Sequence, residues 1–469
     1  MPTRDSRRRL MCCFAFLVLT ACAPVGPNHQ APKIELPASF SQGSTHWKRQ
    51  TPTTQPAPRA WWKLYHDATL TALVEQSLEK NQEIAGSAAR MRQARELSNA
   101  ARSRYFPDVT TGANVNRSYS RFTGSSGSMF IHQDNFIIPV DFSYEVDVWG
   151  KVRRQVESAN ATAQAAGETL NALRLSVAGE LVQTYWALRA VDTDRVVLNK
   201  TLVIRRKALE LLTKRRDAGN LSGLDLARAE TEVATVEAER IQLDQQRVTL
   251  VNALAVLTGS MATGSSVAER AELPPPPSIP ISVPSEVLRQ RPDIRAAERR
   301  VAAANADIGV ATAAFYPSFA INSSSGLSSD TWNNLFRASS LIWSLGANAT
   351  TPIFQGNLLR SQKKAAIAAH EAASADYRQT VLDSIREVEN ALQGGAILER
   401  RQVAQDHAFA AALKTFELSF KRYESGLVSF LDVVDAERTR LDSERAANAV
   451  RAERLAVSVS LIKALGGEW

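Results

Sequence analysis

The sequence predicts a mostly α-helical protein with a small amount of β-sheet, laid down as two tandem repeats of long helices that each enclose one β-hairpin. Three observations carry this expectation. The first is internal repetition: Arg215, Gly219, Ser222, Leu224, Asp225, Ala229 and Glu230 return as Arg422, Gly426, Ser429, Leu431, Asp432, Ala436 and Glu437, each 207 positions later. Tyr105-Phe106-Pro107 returns as Phe315-Tyr316-Pro317, and Leu78, Ile84 and Arg90 return as Leu288, Ile294 and Arg300, all at an offset of 210. The second is the placement of proline. Residues 140–273 and 353–469 hold none and are rich in Ala, Leu, Glu, Arg and Gln, with apolar residues three and four apart. The third is a change to a period of two between these helical stretches.

Taken in order, the chain opens with Arg4, Arg7, Arg8 and Arg9 ahead of the apolar run Leu10–Leu19, the charged start and short greasy core of a signal peptide over residues 1–21. Leu19-Thr20-Ala21-Cys22 resembles a bacterial lipobox, in which the cysteine is acylated and becomes the first mature residue; the alternative is an ordinary signal peptide with an incidental cysteine. Export with a covalent lipid on Cys22 is the expectation. Seven prolines between Pro24 and Pro58 make residues 22–60 an extended tether. Repeat 1 is expected over 61–268, a Pro-rich linker over 269–283 and repeat 2 over 284–469.

An uninterrupted helix from Lys151 to Lys214 would reach roughly 96 Å at 1.5 Å per residue, a length that coiled-coil-like packing stabilises. In Ile138–Val148 every second residue is apolar, and Val109, Ala113, Val115 and Tyr119 alternate with polar residues, with a loop at Gly124–Gly127. These form a hairpin over about 108–148. Phe319 and Ile321, with Leu341, Trp343, Leu345, Ala347 and Ala349, define the second hairpin over about 318–352. Strands of about ten residues suit a tilted bilayer crossing, whereas no stretch after Cys22 approaches 18 consecutive apolar residues. Four strands cannot close a barrel, and open edges are not tolerated in lipid, so the chain must assemble with copies of itself. A dimer gives eight strands, which side chains fill; a trimer gives twelve and leaves a lumen.

Composition narrows the chemistry. With 56 Lys+Arg against 48 Asp+Glu the net charge is +8, mildly basic on a chain of 469 residues, and 44% hydrophobic residues are enough for substantial cores. Cys12, Cys13 and Cys22 are the only cysteines, so nothing beyond residue 22 can form a disulfide, a thiolate metal site or a cysteine nucleophile. His29, His46, His66, His132, His370 and His407 lack metal-ligand spacing, and Gly124-Ser125-Ser126-Gly127 lacks the Lys-Ser of a phosphate loop. The five methionines form no cluster. The basic runs Arg205-Arg206-Lys207 and Lys214-Arg215-Arg216 read as solvated helix faces, not a nucleic-acid patch. No catalytic constellation, metal site or cofactor beyond the lipid is expected, so the activity is passage.

The repeated Gly-x-x-Ser-x-x-Asp motif marks two helix-turn-helix tips. Gly219 and Gly426 suit the position after a helix end, Ser222 and Ser429 suit N-caps, and Asp225 and Asp432 stand three residues on in a capping-box relation. Asp435 lies past the cap, one turn beyond Leu431.

Cys22-Ala23-Pro24-Val25-Gly26-Pro27, Trp61-Trp62, Tyr144–Arg154, Arg291-Pro292-Asp293-Ile294-Arg295-Ala296-Ala297-Glu298 and Pro352-Ile353-Phe354-Gln355-Gly356 together resemble the outer-membrane efflux lipoproteins of the TolC superfamily, over essentially the whole mature chain. The resemblance implies a homotrimeric channel in the outer membrane of a Gram-negative bacterium, a twelve-stranded barrel continued by a periplasmic α-helical barrel. It implies docking to a periplasmic membrane-fusion adaptor and an inner-membrane resistance-nodulation-division transporter, and no nucleic acid. In this family a constriction is formed at the positions of Leu431, Asp432 and Asp435, while Tyr423 and Asp225 match positions that hold neighbouring hairpins together. Val428 stands where TolC has an arginine, so its closing ion pair is absent. The tips, including Gly219, Ser222, Gly426 and Ser429, would meet the adaptor, and Ala23 suits outer-membrane sorting. A type I protein-secretion channel and a non-channel lipidated periplasmic adaptor are the alternative readings.

Overall fold

The computed structural model describes residues 24–37, 39–40, 60–124, 127–218, 222–279, 287 and 289–467. The signal peptide, Cys22 and Gly219 lie outside the described residues. A 3-10 turn at Trp61–Tyr65 leads into α1 (Ala68–Lys80) and α2 (Gln82–Ser103), then β1 (Asp108–Thr111), β2 (Asn114–Gly124), β3 (Gly127–Val146), α3 (Lys151–Asp217) and α4 (Gly223–Leu257). After the linker come α5 (Pro292–Ala313), β4 (Ser318–Ser329), β5 (Leu341–Thr350), α6 (Leu358–Glu424) and α7 (Phe430–Ala464). The uninterrupted helix expected from Lys151 extends to Asp217, 67 residues, and α6 has the same length. Among the described residues no helix is long and apolar enough to cross a membrane.

Local chemistry sets the helix starts. Asp67 caps α1 by accepting the Leu70 amide at 2.9 Å. Asn81 separates α1 from α2: its side-chain oxygen accepts the Glu83 amide at 2.9 Å while its nitrogen donates to the Leu257 carbonyl at 3.0 Å. At the start of α3 the Asp147 carboxylate accepts the amides of Val152 and Arg153 at 3.0 and 2.9 Å, a negative group on the positive end of the helix dipole.

The described chain divides into two compact units. One takes residues up to 33 with 90–166 and 296–377, and contains the sheet. All strand pairs are antiparallel, in the order β1-β3-β4-β5, with β2 also on β3. β1 and β2 are one strand in one register, since Asp108 faces Ser143 and Asn114 faces Ile137. The break between them lies opposite Pro139, which has no amide to donate; its carbonyl still accepts Gly112 N at 3.3 Å. The sheet is therefore four-stranded in effect. β3 has 20 residues, twice the expected length, because the pairing continues beyond the alternating stretch to the turn at Gly124 and Gly127.

Directly opposed residues share a face. The rows Val109–Phe142–Ser323–Leu345, Val140–Ser325–Trp343 and Ile138–Leu327–Leu341 lie on one side, as do Tyr144–Ile321–Ala347 and Val146–Phe319–Ala349. That side is apolar and open: Leu345 is 69% exposed and Trp343 75%. Asp141, Ser143 and Glu145 lie on the other side with Asn322, Ser324 and Asn348. The apolar side ends above Phe136, where Arg117 and Asp134 form a two-point ion pair at 2.6 Å.

The second unit takes residues 34–89, 167–295 and 378 onward. Trp61, Trp62, Tyr65 and Leu70 pack with Tyr185, Trp186, Leu254, Leu455 and Ile462 in its main core. Two hydroxyls inside it are paired: Tyr65 meets Ser458 at 2.7 Å, and Tyr185 donates to Asp67 at 2.7 Å, whereas the indole nitrogens of Trp62 and Trp186 are buried without a hydrogen bond. Burial, reinforced by that bond, pushes the Tyr185 hydroxyl up to about 12. Asp192, fully buried, accepts from Arg189 and Arg247 at 2.7 and 2.8 Å.

A Cβ at Gly326 would lie 2.3 Å from the Ile138 carbonyl, whereas one at Gly346 on β5 meets nothing within 4 Å. Gly326→Val is expected to cost about 2–3 kcal/mol and Gly346→Val much less, measured as denaturant midpoints of the detergent-solubilised protein.

Candidate functional site

The tip joining α6 to α7 follows the motif closely. Gly426 has φ +70°, its amide donates to the Tyr423 carbonyl at 2.9 Å, and the Leu427 amide donates to the Arg422 carbonyl at 2.9 Å. This is a Schellman ending, which the left-handed backbone restricts in practice to glycine. Ser429 then caps α7 in a full capping box: its hydroxyl accepts the Asp432 amide at 3.4 Å, and Asp432 Oδ2 accepts the Ser429 amide at 2.8 Å. The Ser429 hydroxyl also faces that oxygen at 2.7 Å.

The other tip differs. Ser222 caps α4 by accepting the Leu224 amide at 3.2 Å, and Asp225 does not close a box. Its carboxylate instead lies 3.7 Å from Arg228, one turn along the helix. The expected pair of capping boxes is thus one box and one ion pair, because an arginine is available at i+3 only in the first copy.

On α7, Leu431, Asp432 and Asp435 lie exposed, while Val433, Val434, Ala436 and Glu437 are buried. The three residues named from the motif therefore share the solvent side of one helix. Hydrogen bonds from Ser429, the hydroxyl's first, hold the Asp432 carboxyl below the usual carboxylate range. Tyr423 is not joined to Asp225. Its hydroxyl accepts from Arg215 Nη1 at 3.0 Å, the same guanidinium sits 5.4 Å from its ring centroid, and Phe430 flanks the ring at 5.7 Å. Arg215 ties the end of α3 to the end of α6; its recurrence as Arg422 was the sequence signal that it belonged to the tip.

Two turns further in lies an ionic cluster that the sequence reading missed. Arg205, 6% exposed, donates to Glu232 Oε2 at 2.6 Å, to the Glu232 carbonyl at 3.0 Å and to Glu437 Oε2 at 3.1 Å. Arg438 also binds Glu232. The run Arg205-Arg206-Lys207 is therefore not wholly a solvated face: Arg205 points inward and Arg206 outward. Burial raises the Glu437 carboxyl despite Arg205, and its Oε1 has no hydrogen bond. A cavity of about 30 Å³ lined by Phe416, Phe420 and Phe430 lies beside the cluster.

Long helices ending in paired tips, with an antiparallel sheet carrying an open apolar face, define a mostly helical protein with a small sheet. The family model for outer membrane efflux proteins matches residues 73–260 and 283–467, and the chain belongs to that family. It is an outer-membrane efflux component. The chain is 30% identical over 458 residues to the outer membrane protein OprJ of Pseudomonas aeruginosa, covering 97% of this chain and 94% of OprJ. It is 27% identical over 462 residues to the toluene efflux pump outer membrane protein TtgF of Pseudomonas putida, covering 97% and 95%. The solved structure of the outer-membrane channel OprN superposes with a TM-score of 0.86 at 30% identity, over 94% of this chain and 99% of that one.

Ser429→Ala is expected to cost about 1 kcal/mol of tip stability, read as faster amide exchange at residues 430–433. Because Asp432 is held low, its contribution is complete above its ordinary value of 3.8 and is lost as pH falls below it. Exchange at those amides should stay flat from pH 7 to 5 after correction for intrinsic rates, and rise below about 4. Arg205→Met leaves Glu232 and Glu437 buried without their shared cation and is expected to cost about 3 kcal/mol; adding Glu437→Gln should recover part of it in thermal unfolding.

Proposed function

We propose that this protein is the passive exit duct of a tripartite efflux pump, a lipid-anchored homotrimer that carries drugs or other small toxic compounds across the periplasm and outer membrane. The observation that carries the reading is the sheet. Its apolar side runs along β3 from Phe136 to Val146, ten residue steps or about 34 Å along the strand, and about 26 Å once tilted near 40°. That matches the greasy band of a membrane barrel. Its edges, β1–β2 on one side and β5 on the other, run antiparallel, so identical copies can pair edge to edge and keep the alternation. Three copies give twelve strands and a lumen lined by the polar face.

Tandem repetition is supported by the helix lengths, since 22, 67 and 35 residues occur in that order in each half, and by the family model matching twice. In the trimer the helices form a periplasmic barrel, and the tips containing Gly219, Ser222, Gly426 and Ser429 meet the helical hairpins of a membrane-fusion adaptor. A resistance-nodulation-division transporter in the inner membrane supplies the energy. Leu431, Asp432 and Asp435 form the constriction, where six carboxylates per trimer attract cations and repel anions. Tyr423 with Arg215, and Asp225 with Arg228, brace the tips around it. The lipid on Cys22 secures the assembly to the outer membrane.

In planar bilayers the wild-type protein is expected to conduct with a cation preference, and the Asp432→Asn/Asp435→Asn variant to open more often and lose most of that preference. Conduction with unaltered opening and selectivity in the double variant would contradict the assignment of the constriction. No conduction by the wild type would contradict the duct.

A further inference from the structure

At the foot of β3, a short N-terminal segment lies in a groove built for it. Arg154, on the first turn of α3 and 2% exposed, directs most of its guanidinium to this segment. Its Nε donates to the Val25 carbonyl at 3.2 Å, and its Nη2 donates to the Gly26 carbonyl at 3.4 Å and to Asn28 Oδ1 at 2.8 Å. Glu157 accepts from Nη1 at 2.7 Å. A buried arginine must find such partners, because leaving its donors dry is costly. The segment is held along its length: the Val25 amide donates to the Trp149 carbonyl at 3.0 Å, Asn305 donates to the Pro27 carbonyl at 2.9 Å, and His29 meets Glu298 at 2.6 Å.

The groove also depends on missing side chains. Gly26 has φ +94°, and a Cβ there would lie 2.6 Å from Gly309 Cα. A Cβ on Gly309 would meet Arg154 Cγ at 2.7 Å, and one on Gly150 would meet Pro24 Cα at 2.5 Å. Three glycines thus make room for one strap.

Its location gives the strap a purpose. The last row of the apolar face is Val146–Phe319–Ala349. Just beyond it Trp149 stacks on Tyr316 at 4.8 Å and donates to the Pro317 carbonyl at 2.8 Å, and Lys151 and Arg153 follow. Amphipathic aromatics and cations of this kind sit at the headgroup level of a membrane. Cys22 stands two residues before Pro24 in the sequence.

We infer that residues 24–29 are a strap that fixes where the lipid on Cys22 enters the inner leaflet, at the aromatic foot of β3, with Arg154 as its positioning residue. This rests on the proposed acylation of Cys22 and membrane placement of the sheet. Without the strap, the lipid would tether the protein without setting the sheet's position beside it.

The test uses the full-length, detergent-extracted protein with a protease site inserted between Lys33 and Ile34. After cleavage, the fragment from Cys22 to Lys33 is expected to stay bound to the wild type, and to leave about tenfold faster from Arg154→Ala and Asn28→Ala. Asn28→Ala alters only the strap, so it carries the test should Arg154→Ala fail to fold. Asn28→Asp, which turns the amide facing Arg154 into a carboxylate, should retain the fragment at least as long as the wild type. Equal release from the wild type and all three variants would overturn the strap. The mass of the fragment separates the two ideas: a retained fragment without acyl chains leaves the strap standing and overturns its lipid-positioning role together with the lipid-anchor reading.

Discussion

Backbone hydrogen bonding at the edges of the sheet is the constraint on which the rest of the proposed architecture depends. Four antiparallel strands satisfy one another internally, but β1–β2 and β5 each leave a row of amides and carbonyls unpaired beside an apolar face. In water such an edge is an aggregation hazard; in hydrocarbon each unpaired group costs several kcal/mol. Pairing with further copies removes the cost without new chemistry. The break opposite Pro139 fits this scheme, because the residue without an amide lies on an interior strand where the partner strand simply skips a bond.

The helices solve a different problem. Helices of 67 residues cannot be stabilised by propensity alone and need continuous packing along their length. For α3 the clusters with α4 and α7 supply it, with Leu198, Val236, Leu243 and Leu441 in one layer and Leu212, Leu226 and Ala229 nearer the tip. Between them the Arg205, Glu232, Glu437 and Arg438 cluster inserts charge into the seam. A buried ionic cluster adds little net stability, yet it fixes register, because sliding one helix by a turn would strand a charge. At the tip joining α6 to α7, the Schellman ending and the capping box hold Leu431, Asp432 and Asp435 on the exposed side of α7.

Much of this was legible in the sequence. The long helices were readable because proline-free, alanine-rich stretches with three-and-four spacing have few other outcomes, and the second hairpin because Leu341–Thr350 alternates cleanly. Gly426, Ser429 and Asp432 declared a tip because each residue type answers a distinct backbone need. The length of β3 was not readable, since residues 127–135 mix Met, Phe and Ile with His, Gln and Asp on both faces and owe their strand state to cross-strand pairing. Nor was the inward turn of Arg205, because a basic run on a helix looks solvated until its acidic partners, 27 and 232 residues away, are brought beside it. The different fates of Asp225 and Asp432 hung on Arg228, a neighbour that the repeat does not share.

Counting subunits tests the central claim most directly. Native mass spectrometry of the protein extracted from outer membranes should give three chains, and cysteines placed on β5 and β1 should crosslink between chains into closed trimers. A monomer or dimer as the dominant species, with no crosslink between those two strands, would contradict the proposed barrel and the duct built on it.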